Sequence, residues 1–187
     1  MVTEMETLLV DKATGETYAR MVSSGFSIGQ GNWGGPKGPA TVNYPVPKDR
    51  APDEVYTQPT SSETALLYKL NGDYSPIHAD PTVGATIGSK GEIIHGLYTW
   101  NTAAHAVLKK FGGSQPDSLR EFQARFARPV IPGDTLVVEM WRTGKKVGNE
   151  GFEEVVFVTK VKETGVVVLS NGRAVVKVVG REGVSKL

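Results

Sequence analysis

The chain has no cysteine among its 187 residues. That excludes disulfide frameworks, thiolate nucleophiles, Cys-x-x-Cys redox chemistry and thiolate zinc sites together. It also has almost no net charge, with 21 Lys and Arg against 20 Asp and Glu, a formal +1. A diffuse electrostatic drive toward nucleic acid or an anionic membrane is therefore missing, although a local basic patch for a phosphate-bearing ligand is still compatible with the balance. No apolar run approaches the roughly 18 residues that a membrane-spanning helix needs. The start, Met1-Val2-Thr3-Glu4-Met5-Glu6, is acidic and lacks the basic region of a signal or transit peptide. Histidine is scarce as well, at three residues, so acid–base chemistry near neutral pH has few carriers.

What is present separates into sections. Residues 1 to 30 read as two strands joined by the turn Lys12-Ala13-Thr14-Gly15. Residues 31 to 60 are crowded with Gly and Pro, including Gly34-Gly35-Pro36 and Pro45-Val46-Pro47, and predict a linker lying over a surface. Gly29-Gln-Gly31-Asn-Trp-Gly34 satisfies the dinucleotide pattern G-x-G-x-x-G, but Pro36, Gly38 and Pro39 forbid the helix that the pattern requires. Residues 61 to 180 are periodic, and 181 to 187 form a tail. The tail ends in Ser185-Lys186-Leu187, the tripeptide read by the soluble peroxisomal import receptor.

Within the periodic part, a short helix capped by Ser61 or Ser62 is expected to end at Asn71-Gly72. A loop stiffened by Pro76 and Pro81 follows, with Asp80 and Pro81 as N-cap and first residue of a further helical turn running toward Val83. The spacing of Ile93, Leu97, Trp100, Ala104, Val107 and Phe111 predicts a long helix over 92–111 with those residues on one buried stripe. The period then changes to two, predicting strands near 121–127, 134–142, 152–161 and 166–178 in an antiparallel meander. Asn171-Gly172 is a hairpin signal, yet the flanking runs are short, and one long strand bent at Gly172 is preferred. The fold class is α+β, a sheet wrapped round one long helix. Lys12-Ala-Thr-Gly15 and Lys162-Glu-Thr-Gly165, each followed by an extended run, form a weak internal repeat.

Asp73 and His78 sit five residues apart on the Pro-stiffened loop, where a carboxylate and an imidazole can share one small space. Unrelated polar residues on a surface loop would look the same. His95-Gly96 falls at the amino end of the long helix, where backbone N–H groups lack internal acceptors, and Gly96 allows close approach to them. An ordinary helix start is the commoner explanation. His105, inside the helix, reads as structural or solvated. The three His lack ligand spacing, so no metal site is expected.

Tyr68-Lys-Leu-Asn-Gly-Asp73-Tyr-Ser-Pro-Ile-His78-Ala-Asp-Pro81 closely resembles the Gly-Asp-x-Asn-Pro-Leu-His signature of the MaoC-like, hydratase 2 family of (R)-specific enoyl-CoA hydratases. The likeness continues through Glu92-Ile-Ile-His95-Gly96-Leu97, Ala124-Arg-Phe-Ala-Arg-Pro-Val-Ile-Pro-Gly-Asp134, Glu139-Met-Trp141 and Val161-Lys-Glu-Thr-Gly165. It covers about residues 56 to 180 and is nearest to the carboxyl-terminal half of the hydratase unit of eukaryotic peroxisomal multifunctional enzymes. The resemblance implies a hotdog fold over 61–180, with Asp73 and His78 as catalytic dyad and Gly96 N–H receiving the thioester oxygen. Ser75, where the family has Asn, would meet water or substrate with a shorter group. No metal or redox cofactor is implied. Residues 8 to 30 look like the last hairpin of a first hotdog repeat whose remainder is missing, which leads to the expectation of a homodimer. The implied activity is conversion of trans-2-enoyl-CoA to (3R)-hydroxyacyl-CoA in peroxisomal fatty-acid metabolism. The alternative is a non-catalytic acyl-CoA binding module; a thioesterase and a purely structural subunit are weaker alternatives.

Overall fold

The computed structural model describes residues 1–27, 29–35, 38, 40–86 and 88–179. The terminal Ser185-Lys186-Leu187 signal lies outside them. Met1–Val42 and Asn43–Leu187 form two compact units. Among the described residues, no helix is long and apolar enough to cross a membrane.

The first unit is one antiparallel hairpin. Strands β1 (Val2–Val10) and β2 (Thr17–Phe26) pair from Val2↔Phe26 to Val10↔Thr17. The Asp11 carboxylate accepts the Ala13 and Thr14 N–H groups at 2.7 and 2.8 Å, which closes the turn. Every residue of both strands is exposed, including Val2, Met5, Leu9 and Phe26.

In the second unit, strands β3 (Glu54–Pro59), β4 (Leu119–Phe126), β5 (Thr135–Val147), β6 (Phe152–Val161) and β7 (Val167–Lys177) form one antiparallel sheet in the order β3-β5-β6-β7-β4. Helices α1 (Thr64–Lys69), α2 (Pro81–Thr86) and α3 (Gly96–Phe111) fall between β3 and β4. Alternation along the strands builds two cores. Val138, Met140, Val155, Phe157, Leu169, Ala174 and Val176 face α3, while Trp141, Val156 and Val158 face the other way, beneath Tyr44 and Val46. Strand β6 is central and covered on both sides, so it is buried almost throughout. This is the hotdog arrangement, a long helix laid on an antiparallel sheet.

Four expectations are corrected. The linker does not reach residue 60: Glu54–Pro59 is an edge strand on β5, and Tyr44 and Val46 already pack on the sheet. Pro59 is tolerated there because it ends a strand at the sheet's edge. The four later strands are not a simple meander, because β4 pairs with β7 and only β5-β6-β7 are consecutive neighbours. Helix α3 begins at Gly96, not 92, since Ile93 and Ile94 donate backbone N–H to the carbonyls of Ile77 and Val130. The buried stripe of α3 is Thr99, Ala103, Ala106, Val107 and Phe111, with Leu97 exposed, because small side chains let the helix approach the sheet closely. At the other end of the chain, β7 runs unbroken through Asn171-Gly172. The Asp11–Glu16 and Val161–Val166 turns share a hydrogen-bond pattern, with Gly15 and Gly165 N–H donating to the Asp11 and Val161 carbonyls at 3.0 and 2.8 Å.

Candidate active site

The site grows from the loop after α1. Asn71 N–H closes the helix on the Tyr68 carbonyl, and Gly72 takes a φ of 106°, open to glycine, which redirects the chain. One oxygen of Asp73 then accepts the Ser75 N–H at 3.1 Å. Ser75 is extended, as a residue before proline must be, and Pro76–His78 form a single 3-10 turn. These local constraints set the Asp73 and His78 side chains together without help from helical or strand periodicity.

His78 is buried, and its Nδ1 lies 2.8 Å from the Ile93 carbonyl oxygen. A carbonyl only accepts, so the hydrogen bond places a proton on Nδ1, and in the neutral ring Nε2 keeps its lone pair. Nε2 stands 3.7 Å from the other carboxylate oxygen of Asp73, whose side chain is 55% exposed. That separation is too long for a direct hydrogen bond and short enough for one water to touch both groups. Ile93 also donates N–H to the Ile77 carbonyl at 3.1 Å, so the loop is tied twice to the segment leading into α3.

His95 is the N-cap residue of α3 and is 2% exposed. Tyr98 and Thr99 N–H donate to its carbonyl at 3.0 and 3.4 Å, while the N–H groups of Gly96 and Leu97 precede any intrahelical acceptor. These are the donors an oxyanion requires, and the helix dipole adds to them. Gly96 leaves room beside the Phe126 ring. A Cβ there would meet three carbons of the Phe126 ring at 3.1 to 3.4 Å. The His95 ring stacks on His78, with centroids 3.6 Å apart and planes at 21°. Its Nε2 lies 3.5 Å from the Asp73 carbonyl, and Tyr68 packs 5.0 Å away. Burial lowers the His95 pKa below the ordinary 6.5, His78 lowers it further, and Asp73 opposes the shift only in part.

Asp73, His78, His95 and Gly96 therefore meet, with Ser75 at the loop's corner; the site residues expected from sequence lie in one place. Sequence reasoning put His95 at the helix tip but gave its side chain no role, and it missed Tyr68 and Phe126. No spacing marks the His78–His95 contact, which depends on the backbone pairing of Ile77 with Ile93. His105 is exposed and meets Tyr56 edge-on at 5.8 Å, away from this group.

One donor atom each from Asp73, His78 and His95 falls within 4.8 Å of the others, enough in number for a metal. The two imidazoles are stacked, however, and lone pairs lie in the ring planes, so their donors run parallel rather than converging on one ion. The geometry suits holding a water better than a cation. A separate open groove of about 660 Å³, lined by Pro45, Pro47, Arg50, Asp53 and Arg142, contains none of these groups.

Residues 45–167 match the family model described as MaoC like domain. The chain is 45% identical to "Probable dehydratase NIT22" of Ajellomyces capsulatus over 94% of its own length and 48% of that protein's. It is 33% identical to "Probable enoyl-CoA hydratase 2" of Dictyostelium discoideum over 92% of its length and 57% of that protein's. The chain thus spans about half the length of these curated relatives. The solved structure of full-length peroxisomal multifunctional enzyme type 2 from Drosophila melanogaster superposes with a TM-score of 0.77 at 34% identity, covering 94% of this chain and 30% of that one. A helix-on-sheet unit carrying the Asp73–His78 loop, matched over most of its length, belongs to the MaoC-like domain family.

Proposed function

We propose that the chain adds water reversibly to a trans-2-enoyl-CoA and yields the (3R)-hydroxyacyl-CoA. The observation that carries this reading is the 3.7 Å gap between Asp73 and the Nε2 of a His78 whose Nδ1 is held by the Ile93 carbonyl. The thioester oxygen of the substrate takes the Gly96 N–H, which draws electron density from the β-carbon. A water held between Asp73 and His78 gives a proton to this pair as its oxygen bonds to the β-carbon. The enolate charge rests on the oxygen at Gly96 until the pair returns a proton to the α-carbon. Ser75, through its N–H to Asp73, sets the carboxylate's orientation. Leu97, Tyr74 and Phe126, neighbours of these groups and all exposed, offer apolar surface to an acyl chain. The (R) outcome follows from the likeness to the hydratase 2 signature, and the similarity to a protein named enoyl-CoA hydratase 2 supports the substrate class.

The test is the loss of enoyl absorbance when purified chain meets crotonyl-CoA. Asp73→Asn and His78→Gln should each lower turnover by about 10²–10⁴-fold with an unchanged circular dichroism spectrum. The alternative, a non-catalytic acyl-CoA binding module, draws on the exposure of Asp73 to bulk water. It would give tight binding with no loss of absorbance.

Ser185-Lys186-Leu187 directs the chain to the peroxisome, and a fluorescent protein fused at the amino terminus should lose that location when the three residues are deleted. The chain acts as a homodimer. A two-stranded hairpin with apolar residues exposed on both faces is marginal in water by itself, and a second copy would cover it. A monomeric mass at micromolar concentration in analytical ultracentrifugation would refute the dimer.

A further inference from the structure

The proposed chemistry uses Asp73, His78 and the Gly96 amide, and it leaves a second imidazole unemployed. His95 is more deeply buried than either member of the dyad. Among the described residues its Nδ1 has no hydrogen-bond partner, which costs stability in a buried polar atom. An aliphatic or phenyl side chain would fill the same volume without that cost, so packing alone does not account for an imidazole at this position. What distinguishes His95 is its contacts: its ring face lies on His78 and its Nε2 reaches the Asp73 carbonyl.

We propose that His95 is the positioning residue of the dyad, an imidazole whose ring face holds His78 Nε2 toward the Asp73 carboxylate. The inference rests on the hydratase reading given above. The Nδ1–H bond to Ile93 fixes one edge of the His78 ring but permits it to swivel about that bond. A flat ring 3.6 Å away removes the swivel, and the Nε2–H donated to the Asp73 carbonyl ties the other member of the dyad to the same plate. Neutrality matters because His78 becomes a cation when it takes the proton of water. A neutral aromatic face attracts that cation, whereas a second imidazolium would repel it. The groups facing His95 are His78, Asp73, Lys69 and the Tyr68 ring. Burial, His78 and Lys69 favour the neutral form and outweigh Asp73.

The chain has only three histidines, so ¹⁵N-histidine NMR of the full chain without substrate resolves each ring once single replacements assign them. His78 should show one tautomer, protonated at Nδ1. His95 should titrate below the ordinary 6.5. In His95→Leu, His78 should populate both tautomers. With crotonyl-CoA, kcat should fall about tenfold or more while KM changes little, the size of a lost cation–aromatic contact. His95→Phe restores the flat face and should return His78 to one tautomer and most of the lost kcat. If His95→Leu does not fold, His95→Gln, which keeps a donor but has no ring, replaces it in the comparison with Phe. An unchanged His78 tautomer in the Leu or Gln variant overturns the proposal, as does a Phe variant no better than either. A wild-type chain that does not hydrate the thioester refutes the hydratase reading instead, and the substrate-free NMR comparison still judges His95.

Discussion

Gly172→Ala tests how the sheet holds α3. A Cβ at this position would stand 2.5 Å from the Phe157 carbonyl oxygen and 2.6 Å from two carbons of the Phe157 ring. That is about 1 Å inside ordinary van der Waals contact. The ring has nowhere to go: Phe157 is fully buried and stacks on Phe122 at 4.9 Å, and Phe122 meets Trp100 of α3 edge-on at 4.6 Å. The added methyl must therefore part β6 from β7 or push the aromatic stack toward the helix. Overpacking of this kind costs about 1–3 kcal/mol, and the backbone clash puts Gly172→Ala at the upper end. At about 2–4 °C per kcal/mol for a chain of this size, Tm in calorimetry should fall by roughly 6–12 °C. Phe157→Leu removes the ring clash but not the carbonyl clash, so the double variant should be more stable than the sum of the singles predicts, by about 0.5 kcal/mol or more. A Gly172→Ala chain that melts within about 1 °C of its parent would refute the reasoning.

Arg173→Met should cost about 3–5 kcal/mol in urea unfolding, because it leaves the buried Glu154 carboxylate with only the exposed Lys145 at 3.3 Å and the Thr143 hydroxyl at 3.4 Å among the described residues. Adding Glu154→Leu should recover much of that loss. For His95, a folded-state pKa below 6.5 means that the unfolded chain takes up the proton first, so its contribution to stability is present above pH 6.5 and lost as the pH falls toward the folded value. In thermal melts on either side of pH 6.5, His95→Phe should be less acid-sensitive than wild type. Gly84→Ala places a Cβ 1.9 Å from the Gly91 carbonyl oxygen and should speed amide exchange across residues 81–94, including the Ile93 N–H that ties down the dyad loop. Unchanged exchange at Ile93 would show that α2 does not support the site.

The sequence exposed some of this organisation and hid the rest for identifiable reasons. The Val-rich runs of β5, β6 and β7 alternate clearly enough to be read as strands. The partner of β4 was not legible, because nothing local to Glu121 or Phe122 indicates a strand that pairs with β7 rather than β5. β3 was masked by Pro59 and a Gly/Pro-rich approach, and its pairing with residues 135–140 is entirely long-range. Ile93 and Ile94 imitate a helical stripe, but their backbone is spent on Ile77 and Val130. Asp73 and His78 were readable because proline fixes both on one short loop. The His95 stack was not, since it arises only when residues 77 and 93 meet.

The stretch of chain carrying Tyr44 and Val46 gives the protein a built-in optical reporter. Trp141 is 4% exposed beneath it, with its indole N–H on the Arg50 carbonyl at 3.0 Å, while Trp33 is 75% exposed. Lifting that cover would wet one indole whose surroundings are otherwise dry, so a red shift in tryptophan emission ahead of the main unfolding transition would time its release without any label.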